Sequence, residues 1–354
     1  MFIIQTYGVA VLFCIVTMLC WGSWANTQKL AAGSWRFELF YWDYVLGIVT
    51  LALLLAFTLG STGSGGRPFL ADVQQGDWAN LGSAIWGGVL FNAANILLGA
   101  AIAIAGMSVA FPVGIGLALV IGVVVNYRNA PVGSAGLLFG GMALIVVAIL
   151  LNAVAYRQTT TARANTATEN RQTLPTKSES TPGESTRGES TRGLLLSVVA
   201  GCLMGLFYGY VAGAMFPDFE QPETGKLSPY TAVVFFTLGI LGSNVVFNSL
   251  LMRHPFVGTP VRYADYFRGS GRDHLTGVLG GMIWCLGMSF SILASDKAGP
   301  AISYGLGQGA TVVAALWGIY VWREFREAPK GVSILLNGML LCYVAGLALL
   351  IVAR

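Results

Sequence analysis

A single acidic residue, Asp43, lies within the long apolar stretches of this sequence. A carboxylate inside a membrane is costly unless it is paired, hydrated or protonated, so it marks a functional site by default. Because burial disfavours the charged form, such a group can take up and release a proton. We therefore predict that Asp43 couples an ion, most simply a proton, to function. The alternative is a structural role, in which Asp43 stabilises the start of a helix or pairs with Lys29 or Arg36.

Amide, hydroxyl and aromatic side chains recur at other apolar positions. Asn92 and Asn95 are three residues apart, so a helix places both on one face. Amides offer donors and acceptors, and aromatic planes stack on flat ligands, so together they suit a neutral polar solute. The alternative is that the Asn side chains join helices to each other. The predicted substrate-binding residues are Trp24, Asn26, Asn92, Asn95, Tyr208, Trp284, Ser291, Tyr304 and Gln308.

Metal-binding and catalytic patterns are not evident in the sequence. All five cysteines lie in apolar stretches without CxxC spacing, and His254 and His274 fall in one predicted loop. We therefore predict no metal site. We also predict no cofactor and no nucleic-acid partner. An intramembrane enzyme would need paired acids or a histidine at membrane depth, and a sensor would be expected to carry a folded soluble domain. Both remain distant alternatives to a transporter.

The composition indicates that these residues are positioned by membrane helices. The chain is 55% hydrophobic and 10% charged, whereas a soluble domain is about 25% charged. Ten stretches are each long enough to cross a hydrocarbon core of roughly 30 Å. They are 7–26, 39–59, 81–104, 107–127, 133–155, 194–216, 229–251, 275–294, 300–321 and 332–352. The predicted fold is an all-α integral membrane protein with ten transmembrane helices.

A polar segment divides the chain into two halves. Residues 157–193 are rich in Ser, Thr, Arg and Glu, which predicts a disordered linker between repeats at 1–156 and 194–354. Gly-Gly at 87–88 recurs at 280–281, Ala-Gly at 105–106 recurs at 298–299, and Gly-x-Gly at 114–116 recurs at 307–309. Five helices per half give the halves opposite orientations. We therefore predict two inverted repeats with a transport site between them.

Basic residues predict the orientation of the chain. Most of the 20 Lys and Arg residues lie in the linker and in the loops on its side of the membrane. The positive-inside rule therefore predicts a cytoplasmic linker and external termini in an inner (plasma) membrane.

Two segments of the sequence resemble the plant-type ureide permeases. One follows the sixth stretch and contains Pro229-Tyr-Thr-Ala, Phe235-Phe, Asn244, Asn248 and Leu251-Met-Arg-His-Pro-Phe-Val-Gly-Thr-Pro260; the other is Trp317-Gly-Ile-Tyr-Val-Trp-Arg-Glu-Phe-Arg326. In the first half, Gly22-Ser-Trp24 and Asp43-Tyr44 are similar to family positions. The resemblance implies the drug/metabolite transporter superfamily, which includes glucose/ribose and rhamnose porters. It also implies ten helices and proton-coupled uptake of allantoin, uracil and related heterocycles.

The sequence thus predicts a secondary active transporter rather than an enzyme. Its partners would be a small neutral polar solute resembling a ureide or nucleobase, the lipid bilayer, and a gradient of protons or another ion. Alternating access would import the solute between the two halves. A sugar or nucleoside porter of the same superfamily is the alternative.

Overall fold

The structure is a computed structural model that describes residues 1–31, 35–105, 107–172, 185–256, 258–326, 328–329 and 331–354. Within those ranges the regular elements are helices, with one isolated β-bridge between Met215 and Leu227. Ten helical segments are long and apolar enough to cross a membrane, which confirms the predicted fold class.

The described ranges contain fourteen α-helices and one short π-helix. The α-helices are α1 (Tyr7–Ser23), α2 (Ala25–Ala31), α3 (Phe37–Phe57), α4 (Phe69–Gln75), α5 (Trp78–Ala105), α6 (Met107–Asn129), α7 (Ala135–Gln172), α8 (Ser185–Ala214), α9 (Pro229–Arg253), α10 (Tyr263–Tyr266), α11 (Gly271–Ala298), α12 (Pro300–Gly307), α13 (Ala310–Leu316) and α14 (Val332–Val352). The π-helix is Trp317–Val321 and follows α13 directly.

The helices on either side of the predicted linker are longer than the sequence indicated. Helix α7 continues to Gln172 and α8 begins at Ser185, so the described parts of 157–193 are helical rather than irregular. Ala, Arg and Gln are good helix formers, so a helix that begins in the membrane can continue beyond it. Residues 173–184 of the predicted linker lie outside the described residues.

Two of the predicted spans each contain a short turn, called a break below, at which the backbone stays in the right-handed helical region and the span continues. The first break is at Trp24, between α1 and α2. The second is in the ninth span at Gln308, between α12 and α13, because Gly-Leu-Gly-Gln-Gly has little intrinsic preference for a helix. Helix α1 packs against both α12 and α13, so the two spans that contain a break are neighbours.

Helix α11 begins earlier than the sequence analysis predicted. Ser270 accepts a hydrogen bond from the Asp273 backbone N–H, and the Asp273 carboxylate accepts from the Ser270 N–H. This capping box starts the helix at Gly271. His274 therefore lies in the first turn of a membrane-spanning helix, and its assignment to a loop was wrong.

Glycines allow α3 and α11 to approach until their backbones touch. A Cβ at Gly47 would collide with the carbonyl oxygen of Val278, and one at Gly281 would collide with that of Tyr44. Neither carbonyl can move without breaking a turn of its own helix. This crossing joins a helix of the first half to one of the second.

Helices α5 and α9 cross in the same way. A Cβ at Gly88 would collide with the carbonyl oxygen of Phe236, and one at Gly239 with that of Ile85. Gly88 and Gly281 are the second residues of the two Gly-Gly pairs that recur in the sequence. Counted as membrane spans, α5 and α11 are the third spans of their halves, and α3 and α9 are the second. The third span of each half thus meets the second span of the other half at a glycine contact.

The two ends of the bundle differ. The chain termini meet at one end, where the Tyr7 hydroxyl donates to the Ile351 carbonyl at 2.5 Å. This far end is packed: the Tyr230 hydroxyl donates to the Phe2 carbonyl, and the buried Asp72 accepts from the Ser228 backbone N–H at 2.7 Å. The opposite end, where α7 and α8 lead into 173–184, is called the linker end below.

Substitution of the crossing glycines tests this packing. We expect Gly88→Ala and Gly281→Ala each to lower the free energy of unfolding by about 1–3 kcal/mol, because the added methyl group overpacks a backbone contact. The measurement is the melting temperature of the purified protein in detergent. Gly82→Ala in α5 is the matched control, since nothing lies within 4 Å of a Cβ there. Equal melting temperatures for Gly82→Ala and Gly88→Ala would contradict the proposed contact.

Candidate solute cavity

A cavity of about 820 Å³ lies between the two halves, on the linker side of the glycine crossings. Its wall includes residues from both spans that contain a break. Trp21 of α1, Trp24 between α1 and α2, and Asn26 of α2 come from the first span, and Thr311 of α13 comes from the ninth. Many of its remaining contacts are aromatic. These are Phe37, Tyr156, Phe256, Trp317, Trp322 and Phe325.

Trp24 and Asn26 are held in the cavity wall by neighbours on other helices. The Trp24 ring lies 4.8 Å from the ring of the buried Tyr44, centroid to centroid. The Asn26 side-chain oxygen accepts a hydrogen bond from the Trp322 indole N–H at 2.7 Å. The break at Trp24 thus presents an aromatic ring and an amide side by side.

Asn95 reaches the cavity from α5 and is fixed by a hydrogen-bonded chain. Its amide donates to the Tyr41 hydroxyl at 3.1 Å, and that hydroxyl donates to the Asn92 oxygen at 2.9 Å. Asn92 in turn donates to the Ser243 hydroxyl at 2.9 Å. The predicted Asn pair therefore shares one face, with Asn95 at the cavity and the fully buried Asn92 behind it.

Charged residues surround the linker-end mouth of the cavity. Lys29 pairs with Glu324, which also accepts from the Tyr156 hydroxyl at 2.6 Å. Arg36 pairs with Glu38 at 2.6 Å. The Lys29 side chain is 44% exposed and that of Arg36 is 34% exposed, so this rim faces water.

Six of the nine predicted binding residues lie outside the cavity wall: Asn92, behind Asn95, and five residues deeper in the bundle. Trp284 stacks on Trp21 at 5.9 Å and contacts Phe91 at 4.3 Å, so it lies directly behind the inner wall. The Tyr208 hydroxyl lies 3.1 Å from the Ser291 hydroxyl. The Tyr304 hydroxyl donates to the Ala118 carbonyl at 3.1 Å.

Gln308 lies at the break between α12 and α13 and is 8% exposed. With Trp284, Tyr208, Ser291 and Tyr304 it belongs to the closed part of the bundle. Trp24, Asn26 and Asn95 are the predicted residues that line the cavity, with Asn92 in support.

Asp43 is 1% exposed and its carboxylate contacts three polar side chains. The Trp35 indole N–H donates to it at 3.2 Å and the Tyr266 hydroxyl donates at 2.5 Å. The His274 ring Nδ1 lies 2.9 Å away and donates in the tautomer that carries its proton on Nδ1. Burial, followed by the hydrogen bond and charge of Asp43, raises the pKa of Tyr266, so this hydroxyl remains a donor.

The predicted structural alternative for Asp43 named the wrong partners. Lys29 and Arg36 pair with Glu324 and Glu38, respectively, while Asp43 pairs with His274. Helix α3 begins at Phe37, which places Asp43 in its second turn, beyond the unpaired N–H groups of the helix start.

Several cavity residues were not predicted. Asn152 of α7 lines the cavity and its side-chain oxygen is buried without a hydrogen-bond partner among the described residues. Glu38 and Glu324 were assigned to loops, although Glu324 belongs to the aromatic segment after Trp317 that had already been singled out. An acidic residue, Glu324, within this aromatic segment was the signal in the sequence that could have identified it as a cavity residue.

In the described part of the chain, ten helices that are long and apolar enough to cross a membrane surround a cavity with a charged, water-facing mouth, which indicates a multi-pass membrane protein. The family model for ureide permeases matches residues 40–191 and 183–353. The chain belongs to the ureide permease family. Members of this family are transporters, so the protein is a membrane transporter and not an enzyme.

Curated relatives match along nearly the whole chain. Ureide permease 1 of Arabidopsis thaliana is 24% identical over 99% of this chain and 98% of its own length. Ureide permease 2 of the same plant is 23% identical with the same coverage. Probable ureide permease A3 of Vigna unguiculata is 26% identical over 45% of this chain and 44% of its own.

One solved crystal structure has a similar fold. It matches with a TM-score of 0.59 and 14% identity, and covers 97% of this chain and 96% of that chain. At this identity the likeness concerns the fold alone.

Removal of the Tyr41 hydroxyl tests the hydrogen-bonded chain behind Asn95. We expect Tyr41→Phe to lower the free energy of unfolding by about 1–3 kcal/mol, because the Asn92 oxygen loses its buried donor. Melting temperature in detergent measures the effect. Tyr210→Phe is the control, since that side chain is exposed on α8. Equal melting temperatures for Tyr41→Phe and Tyr210→Phe would contradict the hydrogen-bonded chain.

Proposed function

We propose that the protein is a secondary active transporter for a small, neutral, flat solute of the ureide or nucleobase type. The observation that carries this proposal is the cavity in which indole rings and side-chain amides adjoin at the break in the first span. Trp24 would stack on the ring of the solute, and Asn26 and Asn95 would exchange hydrogen bonds with its amide-like edges. The relatives named ureide permeases support the solute class.

Two inverted repeats, 1–156 and 194–354, would rock about the solute, joined by the segment 157–193. Support comes from the two glycine crossings, α3 on α11 and α5 on α9. Each pairs the second span of one half with the third span of the other, so exchanging the two halves would turn one crossing into the other.

The described state has its cavity at the linker end and a packed far end. In the opposite state the far end would open, and the buried polar groups near it would become part of the path. Under this proposal Trp284, Tyr208, Ser291, Tyr304 and Gln308 contact the solute in that second state. In the first state, with the cavity at the linker end, Asn92 supports solute binding indirectly, through its hydrogen-bonded chain to Tyr41 and Asn95.

The linker end would face the cytoplasm, because the basic residues concentrate on that side. The protein would then reside in a plasma membrane and release imported solute from the cavity into the cell. The energy would come from a proton gradient, with Asp43 as the coupling residue.

Substitution of Trp24 tests the proposed site. We expect Trp24→Leu to raise the half-saturating concentration for counterflow about tenfold, because loss of ring stacking costs roughly 1.4 kcal/mol. Trp24→Phe should have a smaller effect. The measurement is counterflow of radiolabelled allantoin and uracil in proteoliposomes that contain the purified protein.

Trp78→Leu is the matched control, because Trp78 is 87% exposed at the start of α5. Equal counterflow by Trp24→Leu and Trp78→Leu would contradict the assignment. Parallel assays with glucose and uridine test the other solute classes, and a preference for either would overturn the ureide proposal in favour of a sugar or nucleoside porter.

A further inference from the structure

The Asp43 carboxylate joins the two halves of the bundle. Trp35 and Asp43 belong to the first half, whereas Tyr266 and His274 belong to α10 and α11 of the second. The contact lies near the linker end. The β-carbon of Asp43 also packs against Gly277, where a side chain would collide with it. A rocking motion between the halves would therefore change the donors that reach this carboxylate.

The donors favour one charge state of Asp43. A carboxylate that accepts two or three hydrogen bonds is stabilised in its ionised form, whereas a buried carboxyl group without donors is more stable when neutral. In the described state, with the cavity at the linker end, Asp43 accepts from three side chains. Withdrawal of Tyr266 and His274 would leave it buried with one donor, and it would bind a proton.

His274 also connects Asp43 with water. The Asp43 side chain is 2% exposed and that of His274 is 29% exposed. Among common side chains, an imidazole is the group most suited to proton transfer near neutral pH, because each of its two nitrogens can hold the proton. Nδ1 faces the carboxylate.

We propose that Asp43 and His274 form one proton-coupling unit that is deprotonated when the cavity is open at the linker end. Protonated Asp43 gives its proton to His274 Nδ1, and the resulting imidazolium releases the proton on Nε2 to water. Neutral His274 then keeps its Nδ1 proton and donates it in a hydrogen bond to the ionised Asp43. This inference rests on the proposed transport function and adds His274 to it.

Other ionisable groups on the elements around Asp43 have their own partners or face solvent. Arg253 and His254 of α9 are exposed. The paired groups are Lys29 with Glu324, Arg36 with Glu38, Asp265 with Arg268, and Asp273 with the backbone and hydroxyl of Ser270. Tyr266 and His274 are therefore the ionisable groups whose hydrogen bonds reach Asp43 in the described part of the chain.

The proposal predicts how pH changes the population of states. The linker-open state binds fewer protons, so lowering the pH shifts the protein away from it. The readout is the labelling rate of Gln28→Cys, a position in the cavity wall, by a hydrophilic maleimide in a background without the five native cysteines. Rates at each pH are normalised to those of the same maleimide with free cysteine, which corrects for the ionisation of the thiol.

We expect labelling to slow as the pH is lowered from about 8 to about 5 and to show one midpoint. Asp43→Asn should label slowly at every pH, because an amide mimics the protonated acid. His274→Ala removes one donor from the carboxylate and should move the midpoint to higher pH by roughly one pH unit. His254→Ala, which changes the exposed histidine at the end of α9, should retain the wild-type midpoint.

Labelling independent of pH in the wild-type background would overturn the proposal, as would a His274→Ala midpoint equal to that of His254→Ala. Transport gives a second test. In proteoliposomes with allantoin, Asp43→Asn should retain counterflow but lose accumulation driven by a pH gradient. Absence of wild-type counterflow would count against the proposed solute, whereas the labelling assay needs no solute and would still decide the role of the pair.

Discussion

Backbone contact between the two halves is the constraint on which the rest of the structure depends. At Gly47 and Gly281, and again at Gly88 and Gly239, each helix presses on a carbonyl oxygen of its partner. In a bilayer, apolar surface gives little driving force for helix association, so close packing at small residues has to supply much of it. The two crossings join α3 to α11 and α5 to α9, and these four helices form the frame of the bundle.

The residues of the proposed site are attached to this frame. Helix α3 carries Tyr41, which holds the amides of α5, and two residues later Asp43, which holds α10 and α11. Tyr41, which supports the cavity-lining Asn95, and the buried carboxylate of Asp43 therefore lie on one helix, two residues apart. Any shift of α3 relative to α11 changes both the position of Tyr41, which supports Asn95, and the contacts of Asp43. Such a shared element is what coupling between a solute and a proton requires, because each ligand must bias the same equilibrium.

Features that depend on local sequence could be predicted. The number of spans follows from apolar length, since a helix in lipid must satisfy its backbone internally whatever its neighbours are. Trp24, Asn26 and Asn95 could be singled out as cavity residues because amide side chains are unusual in apolar stretches and an indole ring can stack on a flat ligand. The break at Gln308 was missed, because the glycines that weaken the helix there also count as apolar.

Partners distant in sequence could not be predicted from one chain. His274 lies 231 positions from Asp43, and only the fold brings them together. A local signal did exist, since Ser270 and Asp273 form a capping box that extends α11 by one turn and carries His274 into the span. Tyr208, Ser291 and Tyr304 show a further limit: composition identifies polar groups in a membrane, but not whether they face a cavity or each other.

Solute binding in the cavity on the linker side of the glycine crossings is tested most directly by protection of a cysteine at Gly99, which lines that cavity with room for a side chain. Saturating allantoin or uracil should slow maleimide labelling of Gly99→Cys and leave labelling of Trp78→Cys, at the exposed start of α5, unchanged. Undiminished labelling of Gly99→Cys by a protein that carries out counterflow of the same solute would contradict the account.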